Sequence, residues 1–154
     1  MAERKFPYSP FNFLVDLKSG TSPTNVQLGG FSEVTGLGQE FVMAEYRNGN
    51  ERENHVRKIP GLHKVNDVTL KRGVVKSKDL WDWINAVRTQ GPAAKRDVVI
   101  TMLDEAGRTV QKWTLTSVVP MKYTGPSLNA KGGTDVAMEE LVLSSEGILQ
   151  ADAA

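Results

Sequence analysis

The sequence has no cysteine, which removes disulfides, thiol nucleophiles and cysteine-based zinc sites. Histidine is nearly as scarce, with His55 and His63 the only two. Any serine triad or histidine metal site has to use one of them. No G-x-S-x-G elbow accompanies them. Their spacing, with Glu51 and Glu53 nearby, matches no common metal motif, so they read as solvated loop residues. Long apolar runs are missing too. No stretch approaches the roughly 20 residues that a membrane helix needs, so membrane insertion of the monomer is not expected. The opening residues MAERKFPYSPFNF lack the basic start and apolar centre of an export signal. The expectation is therefore synthesis and folding in a bacterial cytoplasm, with release, if any, by lysis or within a particle. The net charge of +1 points to neither nucleic acid nor membrane.

Phosphate-binding signatures are likewise incomplete. Gly36-x-Gly38 lacks a third glycine and runs into a strand pattern, and Lys131-Gly132-Gly133-Thr134 lacks the glycine and spacing of a phosphate loop. Glu139 and Glu140, adjacent on a strand, point to opposite faces and cannot act as a carboxylate pair. Trp81 and Trp83 sit two apart on a helix and so on different faces. Trp81 is expected in the core and Trp83 at an interface or partly exposed, a poor platform for stacking bases. No catalytic, cofactor-binding or metal-ligating set emerges.

What is present is a strand-rich pattern. With 154 residues, 40% of them hydrophobic and 24% charged, the chain fits a single domain over 1–154 with one core. Phe11, Phe13, Val15 and Leu17 alternate with Asn12, Leu14, Asp16 and Lys18, which predicts a first strand. Ser19-Gly20-Thr21-Ser22-Pro23 ends it. Further strands are expected over Val26–Val34, with a glycine bulge, over Glu40–Arg47, and around Val68 and Leu70. Residues 48–66 read as a long polar loop, with turn signals at Asn48-Gly49 and Pro60-Gly61. Ser77 is placed as a helix N-cap. After it Leu80, Ile84 and Val87 recur at i, i+4 and i+7, with Trp81 beside them, and Gly91-Pro92 closes the helix. A hairpin follows over Asp97–Leu103 and Val110–Ser117, and Val118–Tyr123 continues the strand after a bend. A loop spans Pro126–Thr134, a last strand Val136–Leu143, and a frayed tail 149–154. The expected fold is mainly β: a sandwich or barrel of about seven to eight antiparallel strands, one α-helix and an extended loop arm. Charge is uneven. Residues 45–73 hold seven Lys/Arg against four Asp/Glu, and residues 126–154 one Lys against five Asp/Glu, a polarity suited to head-to-tail docking of copies.

Five ordered segments carry a resemblance. They are the opening FNFLVDL; GGFSEVTGL; the strand ending EYRNGN with RKIPGLHKVNDVTLKRG; the helix LWDWINAV with WTLTSVVPMKYTGPSLNA; and VAMEELVLSSEGI. Over roughly residues 8–148 the order resembles the tail tube proteins of contractile phages and extracellular contractile injection systems. The resemblance implies a structural protein whose hexameric rings stack into a hollow tube inside a sheath and are driven through a target envelope on contraction. It implies as partners other copies of the chain, the sheath, baseplate, spike and terminator proteins at the ends, and cargo or phage DNA in the lumen. Type VI secretion rings of the Hcp kind share the fold. A ring of this kind, or a tube-initiating paralogue at the baseplate, is the nearest alternative. A small ligand- or nucleic-acid-binding β-barrel is the alternative of a different class.

Under the tube reading, contacts between subunits or rings are expected from the arm residues Arg47, Glu51, Arg52, Glu53, Arg57, Lys58, His63 and Lys64. Glu139 joins them, because it interrupts the apolar face Ala137, Leu141, Leu143 and needs an edge or a basic partner such as Arg57 or Lys58 of a neighbour. Leu80, Trp81, Ile84 and Val87 are expected to pack the helix onto the sheet.

Overall fold

The computed structural model describes residues 5–18, 25–27, 30–75, 78–133 and 135–152. Ten strands and one α-helix are present among them: β1 Phe13–Lys18, β2 Asn25–Gln27, β3 Glu33–Thr35, β4 Gln39–Tyr46, β5 Arg57–Val65, β6 Val68–Gly73, α1 Asp79–Gln90, β7 Arg96–Leu103, β8 Thr109–Thr124, β9 Met138–Ser144 and β10 Gly147–Asp152. Every strand pairing is antiparallel. The main sheet runs β2-β1-β7-β8-β9-β6-β3, with β10 also on β8, while β4 and β5 form a separate two-stranded ribbon.

One long strand makes two layers out of this sheet. The first half of β8 pairs with β7 and β10, and the second half with β9. Between the halves Ser117 takes a φ of +51°, the only positive φ outside glycine among the described residues. It is the extra residue of a bulge facing β7, and its amide donates to Asp97 Oδ1 at 3.1 Å. A bulge bends the bulged strand. The bend lays the β8-β9-β6-β3 half over the β2-β1-β7-β8-β10 half. Val15, Leu17, Val98, Ile100 and Leu115 of one layer meet Val68, Leu70, Leu141 and Leu143 of the other in a single core. The architecture is sandwich-like rather than a closed barrel, because β2 and β3 end the strand order with no further strand beside them among the described residues.

The helix differs from expectation at its two tryptophans. Leu80 and Trp83 are fully buried, Ile84 and Val87 pack partly buried against the core, and Trp81 is 47% exposed. Helical residues advance about 100° each, so Trp83 lies some 60° from Leu80, on the Leu80–Ile84–Val87 side, whereas Trp81 lies about 100° away. Trp83, not Trp81, is the core residue, and its indole N–H donates to the Ala94 carbonyl at 3.1 Å. That carbonyl belongs to the 3-10 turn Gly91–Ala94 that follows the helix. The expected cap Ser77 lies outside the described residues. No helix among them is long and apolar enough to cross a membrane.

Three further expectations are corrected. The strand expected over Val26–Val34 appears as β2 and β3, two separate strands of three residues each. Residues 57–65 of the arm are a strand and not loop, because Pro60-Gly61 makes no turn: Met43 faces Pro60 and Phe41 faces His63, so Gly61 and Leu62 together oppose Val42 as a bulge. Proline is tolerated at the edge of a ribbon, where its missing N–H breaks no ladder. The tail through Asp152 is no frayed end, since Gly147–Asp152 pairs in register with Thr116–Gln111. Neither pairing leaves a mark in hydrophobic periodicity.

Candidate assembly surface

The β4–β5 ribbon stands apart from the sandwich. All its residues but Val65 are exposed. Period-two geometry and the bulge assign its faces. Gln39, Phe41, Met43 and Glu45 share a side with Val65, His63, Pro60 and Lys58. Glu40, Val42, Ala44 and Tyr46 share the other with Lys64, Leu62, Ile59 and Arg57. The second side is largely apolar, and Val42 (45%), Tyr46 (54%), Ile59 (51%) and Leu62 (71%) are all open to solvent there. Phe41 and Met43 add two half-exposed apolar groups on the first side. A lone two-stranded hairpin is marginal in water, and an exposed apolar patch of this kind marks an interaction surface.

The charged arm residues mostly organise the arm itself. Arg47 Nη2 donates to the carbonyls of Glu51 at 3.0 Å and Glu53 at 3.3 Å, drawing the 47–56 connection into a closed tip. Arg57 pairs with Glu51 at 3.2 Å and His55 with Glu53 at 3.2 Å. His63 Nε2 lies 2.9 Å from Gln39 Oε1, and its ring packs at a tilt against Phe41 with centroids 5.0 Å apart. Lys58 and Lys64 stand across the ribbon from Glu45 and Glu40, the arrangement in which opposite charges favour pairing. Arg52 is exposed at the tip. Exposed pairs of this sort contribute about 0–1 kcal/mol each, so they shape the tip more than they stabilise it. Among the described residues no cluster of three or more metal-ligating side chains occurs.

The arm joins the body through two connectors that touch. Asn66 N–H donates to the Gly38 carbonyl at 3.0 Å. Gly36 has a φ of +88°, and a Cβ there would lie 2.2 Å from the Asp67 carbonyl oxygen. The Gly36-x-Gly38 pair thus serves a close backbone crossing.

Glu139 finds its basic partner within its own chain, and that partner is not an arm residue. It is 6% exposed and pairs directly with Arg72, itself 2% exposed, across β6 and β9 of the same chain. The Tyr123 hydroxyl donates to its second carboxylate oxygen at 2.7 Å. That bond, with burial, raises the Tyr123 pKa above its usual 10.0. Sequence reasoning found the odd acid and missed its base, although Arg72 interrupts the alternating face Val68, Leu70 just as Glu139 interrupts Leu141, Leu143. Elsewhere Asp104 Oδ1 accepts the amides of Ala106 at 2.9 Å and Arg108 at 2.8 Å, bonds that lower its pKa, led by that from Arg108. Lys95 lowers that of Glu146 by direct pairing. A surface hollow is lined by Ser127, Asn129, Gly132, Asp135 and Met138. No set of catalytic groups converges there.

The family model for the T4-like virus tail tube protein gp19 matches residues 9–149. No curated protein matches the chain. Among solved structures, a chain of the PVC sheath-tube complex of an extracellular contractile injection system is 25% identical with a TM-score of 0.79, covering 97% of this chain and 94% of that one. A chain of the anti-feeding prophage cap, a tube-terminating cap, is 26% identical with a TM-score of 0.79, covering 99% and 96%. A chain of the anti-feeding prophage baseplate shares the fold at 22% identity and a TM-score of 0.83, covering 97% and 98%.

Proposed function

The chain belongs to the family of the T4-like virus tail tube protein gp19, and from that premise we propose that six copies close into a ring and that rings stack into the hollow inner tube of a contractile particle. The observation that carries this reading is the β4–β5 ribbon, which leaves apolar side chains on both faces open to solvent among the described residues. Ring closure also removes the sheet edges at β2 and β3, which would otherwise invite uncontrolled pairing. Covering one half-exposed aliphatic side chain contributes roughly 1 kcal/mol. Repeated over several residues and six arms, this offsets an association cost of about 4–15 kcal/mol per subunit. The role is architectural, with no catalytic residue set. A sheath surrounds the tube, other proteins start and end it, and cargo or phage DNA passes through its lumen.

The test is assembly. The purified protein should form rings or tubes by negative-stain imaging and sediment as large species. Leu62→Asp with Ile59→Asp alters only exposed positions, so the domain should keep its melting temperature and lose assembly. Tubes of normal length from that variant would refute the arm's role.

A second reading rests on one observation: a chain from the tube-terminating cap structure matches as well as one from the sheath-tube complex. In that reading the protein is a ring at one end of the tube. Single rings or short stacks that never elongate, at any protein concentration, would identify it.

A further inference from the structure

Among the described residues one ion pair has both partners buried, and it belongs to a longer chain of contacts. Trp81 of α1 packs at a tilt against Tyr123 of β8, with ring centroids 4.8 Å apart. Tyr123 donates to Glu139 of β9, Glu139 pairs with Arg72 of β6, and the Arg72 guanidinium lies 5.5 Å from the centroid of Phe31, just ahead of β3. The chain crosses the second layer from the helix to the edge strand.

Its position relative to the arm is what gives it meaning. β3 and β6 pair from Glu33 opposite Lys71 to Thr35 opposite Thr69. Phe31 and Arg72 sit at one end of this pair. The arm leaves from the other end, through the connectors that cross at Gly36, Gly38, Asn66 and Asp67. Because the connectors are in backbone contact, ribbon and strand pair form one lever. β3 has three residues and, among the described residues, pairs only with β6; β6 is fixed to β9 and to the core through Val68 and Leu70, and at its far end that fixing runs through Arg72 and Glu139. A buried ion pair adds little stability over apolar groups of equal volume, yet it admits a narrow range of geometries. An apolar substitute there would allow β6 to tilt.

We propose that Arg72 and Glu139, steadied by Tyr123, Trp81 and Phe31, are positioning residues that set the angle at which the β4–β5 arm leaves the body. The consequence for tube building rests on the function proposed above; the angle itself is a property of the single subunit.

The absence of cysteine makes the test direct. Spin labels at Arg52→Cys, on the arm tip, and Arg88→Cys, on the helix, are then the only two in the chain. Their dipolar distance distribution is measured on the unassembled fraction isolated by size exclusion. The parent should give one narrow distribution. Glu139→Gln, and the volume-keeping double variant Arg72→Met with Glu139→Leu, should shift its mean or at least double its width. The double variant should also melt at or above the parent temperature. If Glu139→Gln does not fold, the double variant and Tyr123→Phe supply the measurement. Distributions identical to the parent in every folded variant would overturn the proposal, because a role in stability alone moves the melt and not the distance. Failure of the parent protein to build rings or tubes would refute the proposed function and leave these distances to decide the present inference.

Discussion

Replacing Gly36 by alanine tests the arm's root with one methyl group. Two costs can be worked from the geometry. An L-residue at a φ of +88° adopts left-handed backbone at a cost of roughly 1–2 kcal/mol. The new Cβ would also lie 2.2 Å from the Asp67 carbonyl oxygen, where real Cβ atoms come no closer than 3.0 Å. The obstacle is backbone, so no side chain can swing aside. The connectors must part by about 1 Å, which breaks the Asn66 N–H to Gly38 carbonyl bond, a loss of about 1 kcal/mol. The sum is about 2–3 kcal/mol. If the whole domain feels it, the melting temperature should fall by roughly 5–10 °C for a chain of this length. If the arm opens alone, the melt stays while trypsin cuts at Arg52, Arg57 and Lys64 about 30 to 150 times faster, since cleavage follows the open population. Gly49→Ala is the control: it meets nothing within 4 Å and should change stability by less than about 0.5 kcal/mol. A Gly36→Ala protein with an unchanged melt and unchanged arm cleavage would refute the reasoning.

The remaining predictions concern the core and its charges. Trp83→Ala should cost about 3–5 kcal/mol and Ile84→Ala, half-buried, about 1–2, with Trp81→Ala below both; denaturant midpoints order the three. Glu139→Leu alone leaves Arg72 buried without its partner and should cost about 3–5 kcal/mol, most of which returns when Arg72→Met is added. The raised pKa of Tyr123 means that its contribution is complete below 10.0 and fades as pH rises through the raised value. Tyr123→Phe should therefore flatten the alkaline limb of a stability–pH curve. Asp104 and Glu146 have lowered pKa values, so their contributions are present above the ordinary values of 3.8 and 4.5 and fade as pH falls through the lowered ones. Asp104→Asn and Glu146→Gln should each weaken the acid dependence.

Local pattern alone determined the class of this protein. Period-two alternation along β1, β6 and β9 is imposed by burying one face of a strand, so it was readable without coordinates. The i, i+4, i+7 stripe of Leu80, Ile84 and Val87 marked the helix for the same reason, and the order of five segments pointed to the tube family. The arm's tip and many of its charges were visible as composition, whereas the arm itself begins with β4, ahead of the 48–66 loop that composition marked. Pairing was not. β5 hides its strand character behind Pro60-Gly61, because a bulge resets the alternation that reveals a strand; β10 looked like a frayed end until β8 supplied its hydrogen bonds. Trp83 rather than Trp81 enters the core because of rotation about the helix axis, which a stripe of three residues did not fix tightly enough. The sequence marked Glu139 as an anomaly, but its partner lies 67 positions away, on a strand brought alongside only by the fold. Which charges meet across a sheet is a matter of register, and register is set by the packing of the two layers and by the Ser117 bend that lets one strand serve both.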